Sequence, residues 1–94
     1  MAVVATVTAE GTPLSEYDAI MKEAGLTGAS ADKIPHLRAH YAWEEDGSVH
    51  VLDVWDSAEA FQAFFGSTIG PAAARAGITM NPEVKISPLH ASIT

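Results

Sequence analysis

Asp46-Gly47 sits midway along an alternating run from His36 to Ser57, HLRAHYAWEEDGSVHVLDVWDS, and no other dipeptide so constrains what this chain can fold into. A two-residue loop of this composition asks for positive φ at both positions, which gives a type I′ turn and a β-hairpin. The turn sets a register: Glu45 opposite Ser48, Trp43 opposite His50, Ala42 opposite Val51, Tyr41 opposite Leu52, His40 opposite Asp53 and, by continuation, Arg38 opposite Trp55. Side chains alternate along a strand, and directly paired residues share a face. One face then carries Leu37, Ala39, Tyr41, Trp43, His50, Leu52 and Val54, and is expected to pack under helices. The other carries His36, Arg38, His40, Ala42, Val51, Asp53 and Trp55.

Ninety-four residues, nearly half of them hydrophobic, make one small ordered domain spanning 1–94,. The formal net charge is −7, and the five basic residues (Lys22, Lys33, Arg38, Arg75 and Lys85) are scattered. No electrostatic footprint for nucleic acid or for an anionic membrane results. The absence of cysteine excludes disulfides, thiolate nucleophiles and zinc–thiolate sites,. The start, MAVVATVTAE, lacks the basic and long apolar regions of a signal peptide, and no segment reaches membrane-spanning length,. A soluble cytoplasmic protein is the expectation.

Val3 to Thr8 reads as a first strand, rich in β-branched residues,. Thr12-Pro13 predicts a helix start with a hydroxyl cap and proline at the first helical position. Leu14, Tyr17, Ile20, Met21 and Ala24 then recur at helical spacing, with Gly25 as the stop,. Ser57 is expected to cap a second helix whose apolar face is Phe61, Phe64, Phe65 and Ile69,. Gly70-Pro71 is expected to break that helix, leaving a short further turn through Ala76,. Val84 to Ile93 reads as a last strand, with Pro88 marking an edge or a bulge,. The order βαββαβ is that of the α+β ferredoxin-like fold, one antiparallel sheet with both helices on one face. The other sheet face would be bare. On this reading it exposes Ala42, Val51, Trp55 and strand-one valines, a patch that a second copy would cover,.

The run Val51-Leu52-Asp53-Val54-Trp55-Asp56-Ser57, the aromatic helix Ala60-Phe61-Gln62-Ala63-Phe64-Phe65, the segment Ile69-Gly70-Pro71-Ala72 and the final Pro88-Leu89-His90 together resemble the dimeric α/β-barrel superfamily, the group of antibiotic-biosynthesis monooxygenase-like proteins. The resemblance implies a homodimer whose two sheets close into a barrel. It implies a small-molecule cavity between each sheet and its helices or inside the barrel. Its activities include cofactor-independent oxygenation of phenolic and polyketide substrates, polyketide cyclisation, haem degradation and aldoxime dehydration, so fold alone does not give function. Haem-degrading members resemble one another in a first-strand asparagine and a helix histidine. Here the first strand has Val3, Val4, Ala5 and Thr6, the one asparagine is Asn81, and neither main helix carries a histidine.

His40 opposite Asp53 is the leading candidate dyad. A carboxylate beside an imidazole fixes its tautomer and makes it a better general base; as a plain cross-strand ion pair it is worth up to ~1 kcal/mol. Arg38 opposite Trp55 reads as a cation–π pair, an anchor for a substrate anion, or a rim contact. Trp55, Tyr41, Tyr17, Val51 and His90 are expected to shape the pocket, with both tyrosines on the helix side; packing alone would equally account for Trp55 and the tyrosines. His36 and His40 stand roughly 13 Å apart at strand rise, too far to share an ion, and no metal site is assigned. The glycines do not form the dinucleotide pattern and no serine sits in a nucleophile elbow, so no cofactor is assigned,. The leading expectation is a cofactor-independent monooxygenase or polyketide cyclase acting on a small aromatic or polyketide-like molecule. His40 would be the base, Asp53 its orienter and Arg38 the stabiliser of a developing anion. The alternative is a non-catalytic ligand-binding or stress-related homodimer.

Overall fold

The computed structural model describes all 94 residues. Four strands form one sheet: β1 (Val3–Ala9), β2 (Leu37–Glu45), β3 (Ser48–Trp55) and β4 (Glu83–Pro88). Their spatial order is β2-β3-β1-β4, every neighbouring pair antiparallel. Helix α1 (Leu14–Glu23) links β1 to the hairpin. Helices α2 (Ala58–Phe64) and α3 (Gly70–Arg75) link β3 to β4. This is the α+β ferredoxin-like arrangement. No helix is long and apolar enough to cross a membrane.

The hairpin forms in the register its turn dictates, from Glu45↔Ser48 through His40↔Asp53, and both turn residues, Asp46 and Gly47, have positive φ. The face assignment is the reverse of the expectation. In β1 the residues Val3, Ala5, Val7 and Ala9 are buried, and Ala5 pairs with Asp53 and Val3 with Trp55. His40, Val51, Asp53 and Trp55 therefore lie beneath the helices. Tyr41, Trp43, Leu52 and Val54 lie on the bare face, where Tyr41 is 63 % exposed and Trp43 40 %. Trp55 decides the matter: it is the largest fully buried side chain and packs on Phe61 and Phe64 of α2.

A β-bulge between Leu37 and Ala39 corrects a second expectation. Leu37, not Arg38, pairs with Trp55 and turns inward onto the core. Arg38 is left on the outside, with its Nε 2.7 Å from Asp56 Oδ1. His36, at φ +70°, accepts the Asp56 amide on its carbonyl at 2.9 Å and brings Nδ1 to within 3.4 Å of Asp56 Oδ2.

Two helix details also differ. Pro13 is itself the cap residue of α1, and Glu44 Oε2 accepts the Leu14 amide at 3.0 Å in place of a Thr12 hydroxyl cap. Ser57 caps α2 as expected, its Oγ accepting the Ala60 amide at 3.1 Å. Gly70-Pro71 does not break the second helix. A π-helical turn, Phe65–Ile69, joins α2 to α3 without interruption, and the Gly70 amide donates to the Phe65 carbonyl. A proline ring crowds the carbonyl four residues back, and a wider turn immediately upstream gives a helix a way to carry it. Finally, β4 ends at Pro88 on a sheet edge; Leu89 still donates to the Ala2 carbonyl at 2.9 Å, but the residues beyond are not in a strand.

The core lies between the helices and the inner sheet face. One cluster gathers Val3, Ala5, Val7, Trp55 and Phe61. The other packs Ile20 of α1 against Ile69, Ala72 and Ala73, whose small side chains let α3 approach closely. Only 13 residues are buried, a thin core for a chain of this length.

Candidate functional site

Between the inner sheet face and the helices runs a cavity of about 700 Å³. Its walls are mostly hydrophobic, built from Ile20 and Met21 of α1, Val51 of β3, and Phe61, Phe64 and Phe65 around the π turn. The consecutive Phe64 and Phe65, where α2 meets the π turn, both reach the cavity wall, and Phe65 stacks obliquely on Phe61 with ring centroids 5.7 Å apart. The segment after α1, Leu26 to Ala31 with Ile34, closes one side.

Into this apolar space the sheet and α1 deliver one chain of hydrogen-bonded polar groups. Trp55 Nε1 donates to Asp53 Oδ2 at 3.0 Å. Asp53 Oδ1 lies 2.6 Å from His40 Nδ1, and His40 Nε2 lies 2.6 Å from the Tyr17 hydroxyl. The Tyr17 and His40 rings are nearly parallel, 10° apart. Asp53 is almost completely buried, while 30 % of the His40 side chain is exposed. No buried polar side-chain atom lacks a partner.

The hydrogen positions follow from the two ends of the chain. An indole N–H can only donate, and an ionised carboxylate can only accept. Asp53 therefore receives hydrogens from both Trp55 and His40 Nδ1. A neutral His40 then has a bare Nε2, which accepts from the Tyr17 hydroxyl. The Tyr17 phenol is held above its usual range, first by burial and then by the negative charges of Asp53 and Asp18, so it stays protonated well past neutral pH.

His40, Asp53, Trp55, Tyr17 and Val51 thus line one cavity. Arg38, Tyr41 and His90 do not. The bulge sends Arg38 to Asp56, whose carboxyl is held below its usual range chiefly by the Arg38 hydrogen bond. Strand alternation sends Tyr41 to the bare face, and His90 is exposed beyond the end of β4. The histidines do not converge: His50 stacks on Trp43 at 5.6 Å beside Thr8, His36 meets Asp56, and no three His, Asp or Glu side chains are grouped to hold a metal ion. The sequence reading missed the link from Tyr17 to His40. Helical periodicity places Tyr17 on the inner stripe of α1 but does not say which strand residue it meets.

No protein-family model matches the sequence, and no curated protein matches it. Solved structures do match. A putative antibiotic biosynthesis monooxygenase from Caulobacter crescentus superposes with a TM-score of 0.70 at 17% identity, covering 96% of this chain and 91% of that one. The monooxygenase ActVA-Orf6 of Streptomyces coelicolor, solved with the ligand nanaomycin D, gives 0.60 at 17%, covering 99% and 91%. SnoaB, a cofactor-independent oxygenase from Streptomyces nogalater, gives 0.61 at 18%, covering 98% and 94%. At these identities the likeness is one of fold: over nearly its whole length, the chain has the ferredoxin-like fold of the antibiotic-biosynthesis monooxygenase-like proteins.

Proposed function

We propose that this protein is a small-molecule enzyme that removes a proton from a phenol, or from a carbon beside a carbonyl, in the manner of a cofactor-independent monooxygenase or a polyketide cyclase. The observation that carries the reading is the Tyr17–His40–Asp53 chain, ending in an apolar cavity large enough for a polycyclic aromatic ligand,. The folds of SnoaB and ActVA-Orf6 support the reaction class.

Both nitrogens of His40 are engaged, so the proton reaches it through Tyr17. As the substrate's proton passes to the Tyr17 oxygen, the hydroxyl's own proton passes to His40 Nε2. Asp53 stabilises the imidazolium that forms. Tyr17 ends protonated and pointing its new hydrogen at the substrate anion. That supplies the anion-stabilising role the sequence had assigned to Arg38. In the oxygenase form the substrate anion itself reduces dioxygen, one oxygen atom entering the substrate and the other leaving as water. In the cyclase form the carbanion closes on a carbonyl of the same molecule. We further propose a homodimer formed through the bare sheet face.

The test is oxygen uptake and product analysis with hydroxynaphthalenes and hydroxyl-bearing enolisable polycyclic ketones, comparing the wild type with His40→Ala. General-base catalysis contributes about 10²- to 10⁴-fold, so His40→Ala should lose turnover by that factor while ligand affinity changes little. Equal turnover in the variant would overturn the role of His40 and leave a binding protein.

A further inference from the structure

We infer that the cavity selects ligands by the direction of one hydrogen bond: it takes an apolar or aromatic molecule whose polar group donates a hydrogen, a hydroxyl or an amine, and discriminates against the same molecule with an acceptor alone. This deepens the proposed site and rests on it only in taking the cavity as the place of binding. It does not require that any proton be abstracted.

The chain begins at Trp55, which has a hydrogen to give and no lone pair to receive one. The indole is buried and wedged against Phe61 and Phe64, so it cannot turn away from Asp53. Asp53 accepts from both sides. With His40 neutral, its one hydrogen goes to Asp53 and its Nε2 accepts from Tyr17,. The Tyr17 hydrogen is thereby committed to His40, and what the phenol oxygen shows to the cavity is an unshared lone pair. Trp55 gives its one hydrogen to Asp53 and none to the ligand, yet it fixes which partner the ligand must be.

An acceptor-only ligand has two options, both costly. It can sit against the Tyr17 oxygen lone pair to lone pair. Or it can draw the hydroxyl hydrogen toward itself, breaking the 2.6 Å bond to His40 Nε2 and giving up one hydrogen bond to make another. A donor ligand completes the chain without disturbing it. Burial first, and then the charges of Asp53 and Asp18, hold the Tyr17 phenol above its usual range; those charges act in the same sense, since both favour the positive end of an O–H or N–H dipole at this position.

Two matched probe pairs test this by calorimetry on the full chain: 2-naphthol against 2-methoxynaphthalene, and 2-aminonaphthalene against its N,N-dimethyl form. In an apolar cavity the added methyl groups alone would tighten binding. The expectation is the reverse, with each donor probe binding about tenfold or more tighter than its methylated partner, and with the preference collapsing in Tyr17→Phe. Methylated probes that bind as tightly as their donor partners would overturn the inference. So would a preference that survives in Tyr17→Phe, or failure of all four probes to bind at millimolar concentration. The inference and the proposed reaction fail separately. A donor preference with no turnover of any phenol rejects the chemistry alone, and turnover that depends on His40 without a donor preference rejects the inference alone.

Discussion

At the scale of the residue, Trp55 carries two duties that the sequence does not separate. Its ring fills the core between Phe61 and Phe64, and its N–H satisfies a buried carboxylate oxygen. Trp55→Phe keeps most of the ring and removes the hydrogen, leaving Asp53 Oδ2 with no donor. Stranding a buried polar group costs about 1–3 kcal/mol. Urea denaturation should show the unfolding free energy falling by that amount, seen as a lower midpoint at unchanged slope. If the loss comes from the stranded oxygen, combining Trp55→Phe with Asp53→Asn should be markedly less than additive; additive losses would assign it to packing alone. The His40–Asp53 pair could be read directly from the Asp46-Gly47 turn, because strand register is local arithmetic. The other two members of the chain could not. Tyr17 is 23 residues from His40, and their meeting depends on how α1 lies over the sheet. Trp55 is two positions from Asp53 on the same strand, but what orients its N–H is the aromatic packing of α2.

At the scale of the element, the hairpin shows where pattern reading stops. Register was legible to the residue over seven rungs, from Glu45↔Ser48 to Ala39↔Val54, and failed at Trp55. The face toward the helices was not, because both faces of the hairpin carry large apolar side chains and only pairing with β1 distinguishes them. The strict alternation of burial along Val3–Ala9 sets the inner face, and the hairpin inherits it. The bulge was equally invisible, since nothing in Leu37-Arg38-Ala39 forces an extra residue. Its consequence is the external cluster of Arg38, His36 and Asp56, which pins the entry to β2 against the exit of β3. That cluster makes a prediction about acid. Asp56 has its carboxyl held low in the folded protein, first by the Arg38 hydrogen bond. A lowered folded value means stability that is present above the ordinary carboxylate range and is lost as pH falls through the lowered value. Arg38→Ala should therefore be less stable than the wild type at neutral pH, and the two should converge as the pH drops below the carboxylate range. Thermal unfolding at a series of pH values from 7 down to 2 reads this. A constant gap across the series would mean that Arg38 acts through packing and not through Asp56. Because the cluster is half-exposed, salt should narrow the neutral-pH gap.

At the scale of the whole molecule, the reversed face changes what is left uncovered. The helices and the cavity occupy one side of the sheet. The other presents Val4, Leu52 and Val54 along the two central strands, flanked by Tyr41 and Trp43 on β2. A chain that buries only 13 of its residues has little apolar surface inside to spare for this much outside, which is the balance expected of a protein whose second layer is another copy of itself. Leu52 pairs with Thr6 on one side and Tyr41 on the other, so it lies in the middle of the face and far from the cavity. A lysine there remains solvated in a monomer but would have to be buried without a partner in a dimer, at a cost of several kcal/mol. Sedimentation velocity at micromolar concentration should find the wild type dimeric, and Leu52→Lys monomeric with an unchanged circular dichroism spectrum, its dissociation constant raised at least about 100-fold. Salt supplies an independent check on what holds the copies together. With a net charge of −7 on each chain, two copies repel one another, and screening that repulsion favours an apolar interface while weakening an ion-paired one. The dimer should thus tighten as salt is raised. A wild type that sediments as a monomer, or a Leu52→Lys variant that associates as strongly as the wild type, would show that the bare face is not where the second copy sits. A dimer that weakens with salt would show that charge pairs, and not Leu52 and its neighbours, hold the copies together.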